Sequence, residues 1–226
     1  MAATAQIHRD PTAGTSARVE PPVVGFKPAD PGPLGLAAFA MTTFVLSMFN
    51  ANLVNEHGTP VVLGLALAYG GIVQLLAGMW EFRTGNTFGA VAFSSFGAFW
   101  ISFWALEVFY AKDITGNVGH AVGLYLWAWA IFTAYMTVAA LRVSAAVLLV
   151  FVLLTATFVL LAIGNTGGNE TIIHWGGYIG LATAVAAWYA SFAAVVNSTF
   201  ARTVLPVIPL NVGRSRAEAA AVESGR

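Results

Sequence analysis

The chain has no cysteine, so no disulfide framework holds it, and thiolate nucleophiles and Cys-based metal sites are excluded. Charge is nearly as scarce. Charged residues make up 9% of the 226 positions, roughly a third of the share that a soluble domain carries. Six of the twenty charges fall within the first thirty residues, so the remainder cannot solvate a water-facing surface. Ten basic residues balance ten acidic ones, which removes the basic footprint that nucleic-acid binding requires. What is present is 58% hydrophobic with 23 glycines. That is the composition of an integral membrane protein.

A spanning helix needs about 20 mostly apolar residues, and six runs meet that length: 34–54, 61–80, 88–110, 121–140, 143–163 and 172–200. The last is long enough to tilt or to begin in the interface. No ten-residue segment alternates as a membrane β-strand does. The expected fold is therefore all-α, a polytopic membrane protein of six transmembrane helices. Arg9, Arg18 and Lys27 precede the first run, Arg83 follows the second, Arg142 the fourth, and Arg202, Arg214, Arg216 and Arg226 the sixth. Only Lys112 falls on the other side, so nine of the ten basic residues share one face. The positive-inside rule then puts both termini in the cytoplasm, in a multi-pass protein of the cell (plasma or inner) membrane. Residues 1–29 and 211–226 read as disordered polar tails around a transmembrane domain at 30–210, with no signal peptide.

The start of the first helix is sharply marked. Asp30 can cap free amides, Pro31 suits the first helical position, and Pro33 lies within the first turn, where no donor is lost. Beyond it, Phe39, Thr43, Ser47 and Asn50 recur at i, i+4, i+8 and i+11. Hydroxyl and amide groups in hydrocarbon need partners, so the stripe is either interhelical glue or the lining of a pathway. The third run opens Gly85-Asn86-Thr87-Phe88-Gly89 and carries Ser94 and Ser95 beside Phe93, Phe96, Gly97 and Trp100. Gly176, Gly180 and Ala184 at four-residue spacing read as packing positions. Gly164-Asn165-Thr166-Gly167-Gly168 echoes the segment at 85–89 but falls on the opposite face, as a three-plus-three inverted repeat would place it.

Glu81, Glu107 and His174 are the ionisable groups near the spans, each close to a helix end. Glu107 reads as an interfacial carboxylate pairing with Lys112. No Lys or Arg lies within a span, so an anion would be recognised by hydroxyls and amides. His-x-x-x-His, Gly-x-Ser-x-Gly and paired intramembrane Asp are all missing. No catalytic residue, metal site or cofactor is therefore expected. Three classes remain: a carboxylate transporter, a pathway for neutral small solutes such as ammonia or urea, and a non-transporting scaffold or sensor.

Asp30-Pro31-Gly32-Pro33-Leu34-Gly35-Leu36 resembles the Asn-Pro-Ala-Pro-Leu-Gly-Leu signature of the acetate uptake transporters, the succinate–acetate permease family. The segments at 85–89 and 92–100, Ala162-Ile163-Gly164-Asn165 and Arg202-Thr203-Val204-Leu205-Pro206 are also similar to that family, in order. Asp30 and Gly32 depart from the signature at its Asn and Ala. The resemblance implies a homohexamer of six-helix protomers, each with its own pathway for acetate and similar monocarboxylates, or succinate in some members, as channel or proton symporter. It also implies a constriction of Phe39, Phe96 and Leu154, with Phe96 where relatives often have Tyr. On this reading the helix-start motif is Asp30, Pro31, Pro33 and Gly35. The pathway residues are Thr43, Ser47, Asn50, Asn86, Thr87, Ser94, Ser95 and Asn165, and the partners are acetate and the lipid bilayer.

Overall fold

The computed structural model describes residue 26 and residues 28–211. The expected tails lie outside these apart from Phe26, Pro28, Ala29 and Asn211. Six helices carry the fold: α1 Gly32–Asn50, α2 Pro60–Thr84, α3 Thr87–Asp113, α4 Val118–Ala140, α5 Ala145–Gly167 and α6 Glu170–Thr199. Each is long and apolar enough to cross a membrane. Among the described residues the only β-pairing is a single bridge between Ser144 and Pro209. The start of α1 and the ends of α2, α4 and α6 lie on one side, called here the near face. The opposite side is the far face.

Helix ends depart from the apolar runs for reasons of backbone hydrogen bonding. α5 continues through Gly164, Asn165 and Thr166, which hydropathy alone had assigned to a loop, and stops only where Gly168 turns left-handed at φ 61°. α2 likewise runs on to Thr84 and ends at Gly85, at φ 78°. A left-handed residue lets the next amides close on the last carbonyls, and glycine adopts it without a Cβ penalty. α1 begins one position later than expected. Pro31 holds the cap position, Pro33 sits in the first turn, and the Asp30 carboxylate accepts from the Gly32 amide at 2.9 Å.

α1 lies along α6, α6 along α5, α5 along α4, and α2 against α3. Small residues set these distances. Gly177 rests directly on the backbone of Asn50 and Ala51, and a Cβ on Gly97 would lie 2.7 Å from the Leu75 amide nitrogen. Two π-helical turns interrupt the helices, Ala68–Val73 in α2 and Leu106–Tyr110 in α3. On α4, Leu124, Ile131 and Val138 point outward at 73%, 66% and 66% exposure. Such a stripe would be a defect in water and is the expected surface in lipid.

Beyond α6 the chain folds back over the start of α5. The Asn197 side chain accepts from the Val204 and Leu205 amides at 2.7 and 2.9 Å and donates to the Leu205 carbonyl at 2.8 Å. Tyr189 donates its hydroxyl to the Pro206 carbonyl at 2.7 Å. The carbonyls of Ile208 and Val207 then accept from the Ala145 and Ala146 amides. First-turn amides have no partner within their own helix, and this strap supplies one.

Candidate functional site

Two cavities enter the helix bundle from opposite faces. The far chamber, about 210 Å3, is walled by α1, α3, α4 and α5. All four members of the α1 stripe, Phe39, Thr43, Ser47 and Asn50, line it. α5 contributes Leu154, Thr157, Phe158, Leu161 and Asn165, spaced as one helical face. α3 contributes Phe99, Trp100, Phe103, Leu106 and Glu107, and α4 adds Tyr125. Water takes about 30 Å3 each in the liquid, so the chamber has room for a small solute. It continues through Asn50 and Thr59 into a polar recess that holds His57, Glu170 and His174.

The near chamber, about 200 Å3, is lined by Asp30, Pro33, Glu81, Asn86, Phe93 and Phe151 among others. Asn86 caps α3, accepting from the Gly89 amide at 3.1 Å. Glu81 is only 2% exposed and accepts from the Thr84 hydroxyl at 3.0 Å. Asn86 thus borders the near chamber and Asn165 the far one.

Between the chambers stands a layer of rings. Phe96 lies at its centre, 5.8 Å from Phe39, 6.0 Å from Phe151 and 6.5 Å from Phe158 by ring centroids. Phe39, Phe96 and Leu154 are each exposed by 4% or less. Phe39 and Leu154 reach the far chamber and Phe151 the near one.

Several polar groups of the far chamber are spent within the protein. Thr157 donates to the Leu153 carbonyl at 2.9 Å, Asn165 to Leu161 at 2.8 Å, and Tyr125 to Phe99 at 3.1 Å. Two groups are not. Thr43 and Trp100 line the far chamber, and Thr43 Oγ1 and Trp100 Nε1 are buried without a hydrogen-bond partner. An indole N–H is a donor only, and leaving a buried donor unmade costs about 1–3 kcal/mol. The indole N–H lacks an acceptor, whereas the Thr43 hydroxyl can either donate or accept.

The other expected positions divide. Ser94 lies under Gly78 at the contact of α2 with α3, where its hydroxyl is also unpaired. Ser95 is half-buried and Thr87 exposed, and neither lines a chamber. Gly35 packs beneath the Phe93 ring. The expected pairing of Glu107 with Lys112 is not made among the described residues; Glu107 is an exposed residue at the edge of the chamber lining. No trio of His, Asp or Glu among the described residues is placed to hold a metal. Trp100, Tyr125 and Thr157 are chamber residues that were not picked out as such. Trp100 shares a helical face with Phe96 and Phe93, which was the available signal.

Fold and cavities together define the class: a multi-pass helical membrane protein with a polar-lined chamber at each face and an aromatic layer between. The chain belongs to the GPR1/FUN34/yaaH family, whose profile matches residues 14–212. It is 41% identical over 182 residues to the succinate-acetate/proton symporter SatP of Escherichia coli, covering 80% of this chain and 96% of that one. It is 42% identical over 209 residues to acetate permease A of Emericella nidulans, covering 84% and 70%. Identity to ammonia transport outward protein 2 of Saccharomyces cerevisiae is 43% over 175 residues, 75% of this chain. The chain spans 62% of that yeast protein and 66% of another, accumulation of dyads protein 2. A solved structure of the bacterial acetate channel SatP superposes with a TM-score of 0.75 at 41% identity, covering 80% of this chain and 99% of that one.

Proposed function

We propose that this protein carries acetate and similar small monocarboxylates across the cell membrane, through the two chambers of each protomer, without covalent chemistry. The observation that carries this reading is the pair of unsatisfied donors in the far chamber. Trp100 Nε1 needs an acceptor oxygen and the Thr43 hydroxyl can donate to a second, and a carboxylate brings two. No Lys, Arg or His lines that chamber, so hydrogen bonds rather than ion pairing hold the anion, which suits a solute that must leave again. The names of the bacterial and fungal relatives support the substrate.

Phe39, Phe96 and Leu154 form the neck. An anion crossing them loses hydration without replacement, a penalty of several kcal/mol even after relaxation. Protonation on the way removes most of it, so acetate crosses as the neutral acid. The share of Lys and Arg in the sequence segments that flank the spans, nine of ten on one side by the alternation of six helices, supports a cytoplasmic near face with both termini on it. Asn86 and Asn165, one per chamber, accord with an inverted repeat. The protomers assemble as a homo-oligomer, a hexamer by the family resemblance.

A second reading, passage of ammonia, is favoured by the name of the yeast relative. It leaves the indole N–H without a carboxylate partner. Trp100→Phe and Thr43→Val separate the two. Each removes one hydrogen bond to a charged acceptor, about 1.5–3 kcal/mol, so initial uptake of labelled acetate into proteoliposomes should fall at least tenfold. Methylammonium flux should be unaffected. Full acetate uptake in both variants would overturn the carboxylate reading.

A further inference from the structure

The far chamber contains one carboxylate that transport of an anion does not call for. On α3, Phe99, Trp100, Phe103, Leu106 and Glu107 follow at i, i+1, i+4, i+7 and i+8, and all five line the chamber. Glu107 therefore continues the wall that holds Trp100, one helical turn or two further toward the far face. It has no ion pair among the described residues. The other titratable side chain lining the chamber is Tyr125 on α4, whose hydroxyl is engaged by Phe99 and Ser102. A carboxylate thus stands at the rim of a chamber lined by no Lys, Arg or His.

We propose that Glu107 is a specificity-determining residue, a charge filter that admits monocarboxylates and excludes dicarboxylate dianions from this protein. The inference rests on the carboxylate pathway argued above and adds what that pathway rejects. Repulsion scales with the charge of the solute. In a dielectric between water and protein interior, one nearby fixed charge disfavours a monoanion roughly tenfold and a dianion roughly a hundredfold. A monocarboxylate can evade even the smaller penalty by entering as its neutral acid, whereas a dicarboxylate must bind two protons to do so. Acetate therefore passes and succinate does not, in contrast to the relative named for both.

The test is the ratio of initial acetate uptake to initial succinate uptake, measured with labelled substrates at neutral pH and moderate salt. It uses proteoliposomes of the full chain. The wild type should favour acetate strongly. Glu107→Gln, which keeps the shape of the side chain and removes its charge, should lower the ratio about tenfold, mostly by raising succinate uptake. Glu107→Asp should restore it, which a merely structural role would not explain. A ratio within twofold of wild type in Glu107→Gln, with acetate uptake intact, would overturn the filter while leaving the pathway standing. Loss of acetate uptake in the wild type would instead remove the pathway reading and the filter with it. Should Glu107→Gln fail to fold, the wild type alone decides: a tenfold excess of succinate should leave acetate uptake unchanged, and inhibition by succinate would overturn the proposal.

Discussion

At the scale of single residues, the proposed neck and the far chamber divide the α1 stripe between them. Phe39 is the apolar end of that stripe and touches Phe96 across the bundle. Thr43, Ser47 and Asn50 continue it into the far chamber. On the proposed reading, shortening Phe39 or Leu154 to Ala opens the constriction to water, and each loss from the core costs about 2–5 kcal/mol of stability. Provided the variants remain folded, each should raise passive acetate flux several-fold and relax the preference for acetate over butyrate. Uptake of the two acids at equal expression checks this, and an unchanged ratio with unchanged flux would mean that these residues do not form the constriction. The stripe was legible because side chains at i, i+4, i+8 and i+11 must share a helix face. Its surroundings were not. Whether three polar groups meet a neighbour or a cavity depends on where α3 and α5 stand, which no local spacing encodes. Ser94 and Ser95 show the difference: similar residues one position apart, with Ser94 closed under Gly78 and neither on a chamber wall.

At the scale of elements, six helices were legible because a span of about 20 apolar residues has few other uses. Their ends were less so. Hydropathy falls at Gly164 and Asn165, yet backbone hydrogen bonds carry α5 on to Gly167, until a left-handed Gly168 closes it. The π-helical turns and the C-terminal strap left no mark in the periodicity, since both arise from contacts between distant segments. In the strap, Asn197 alone makes three hydrogen bonds to the returning backbone. Asn197→Ala should cost about 1–3 kcal/mol. For a chain of this size that corresponds to roughly 2–12 °C in the melting temperature. Thermal unfolding of the purified protein in detergent measures it, and an unshifted transition would show that the strap is held by packing alone.

At the scale of the whole molecule, the outward stripe on α4, the glycine contacts between helices and the two facing chambers describe one arrangement. Lipid covers the outside, small residues bring the helices close, and the polar groups that remain line the inside. Acetic acid leaks across bare lipid, so the decisive comparison is with protein-free vesicles prepared in parallel. The full chain, reconstituted at neutral pH, should take up labelled acetate faster than those vesicles. An imposed pH gradient, alkaline inside, should raise the level reached, and a protonophore should abolish that gain. Uptake no faster than in protein-free vesicles, with or without the gradient, would contradict a transport pathway through this protein.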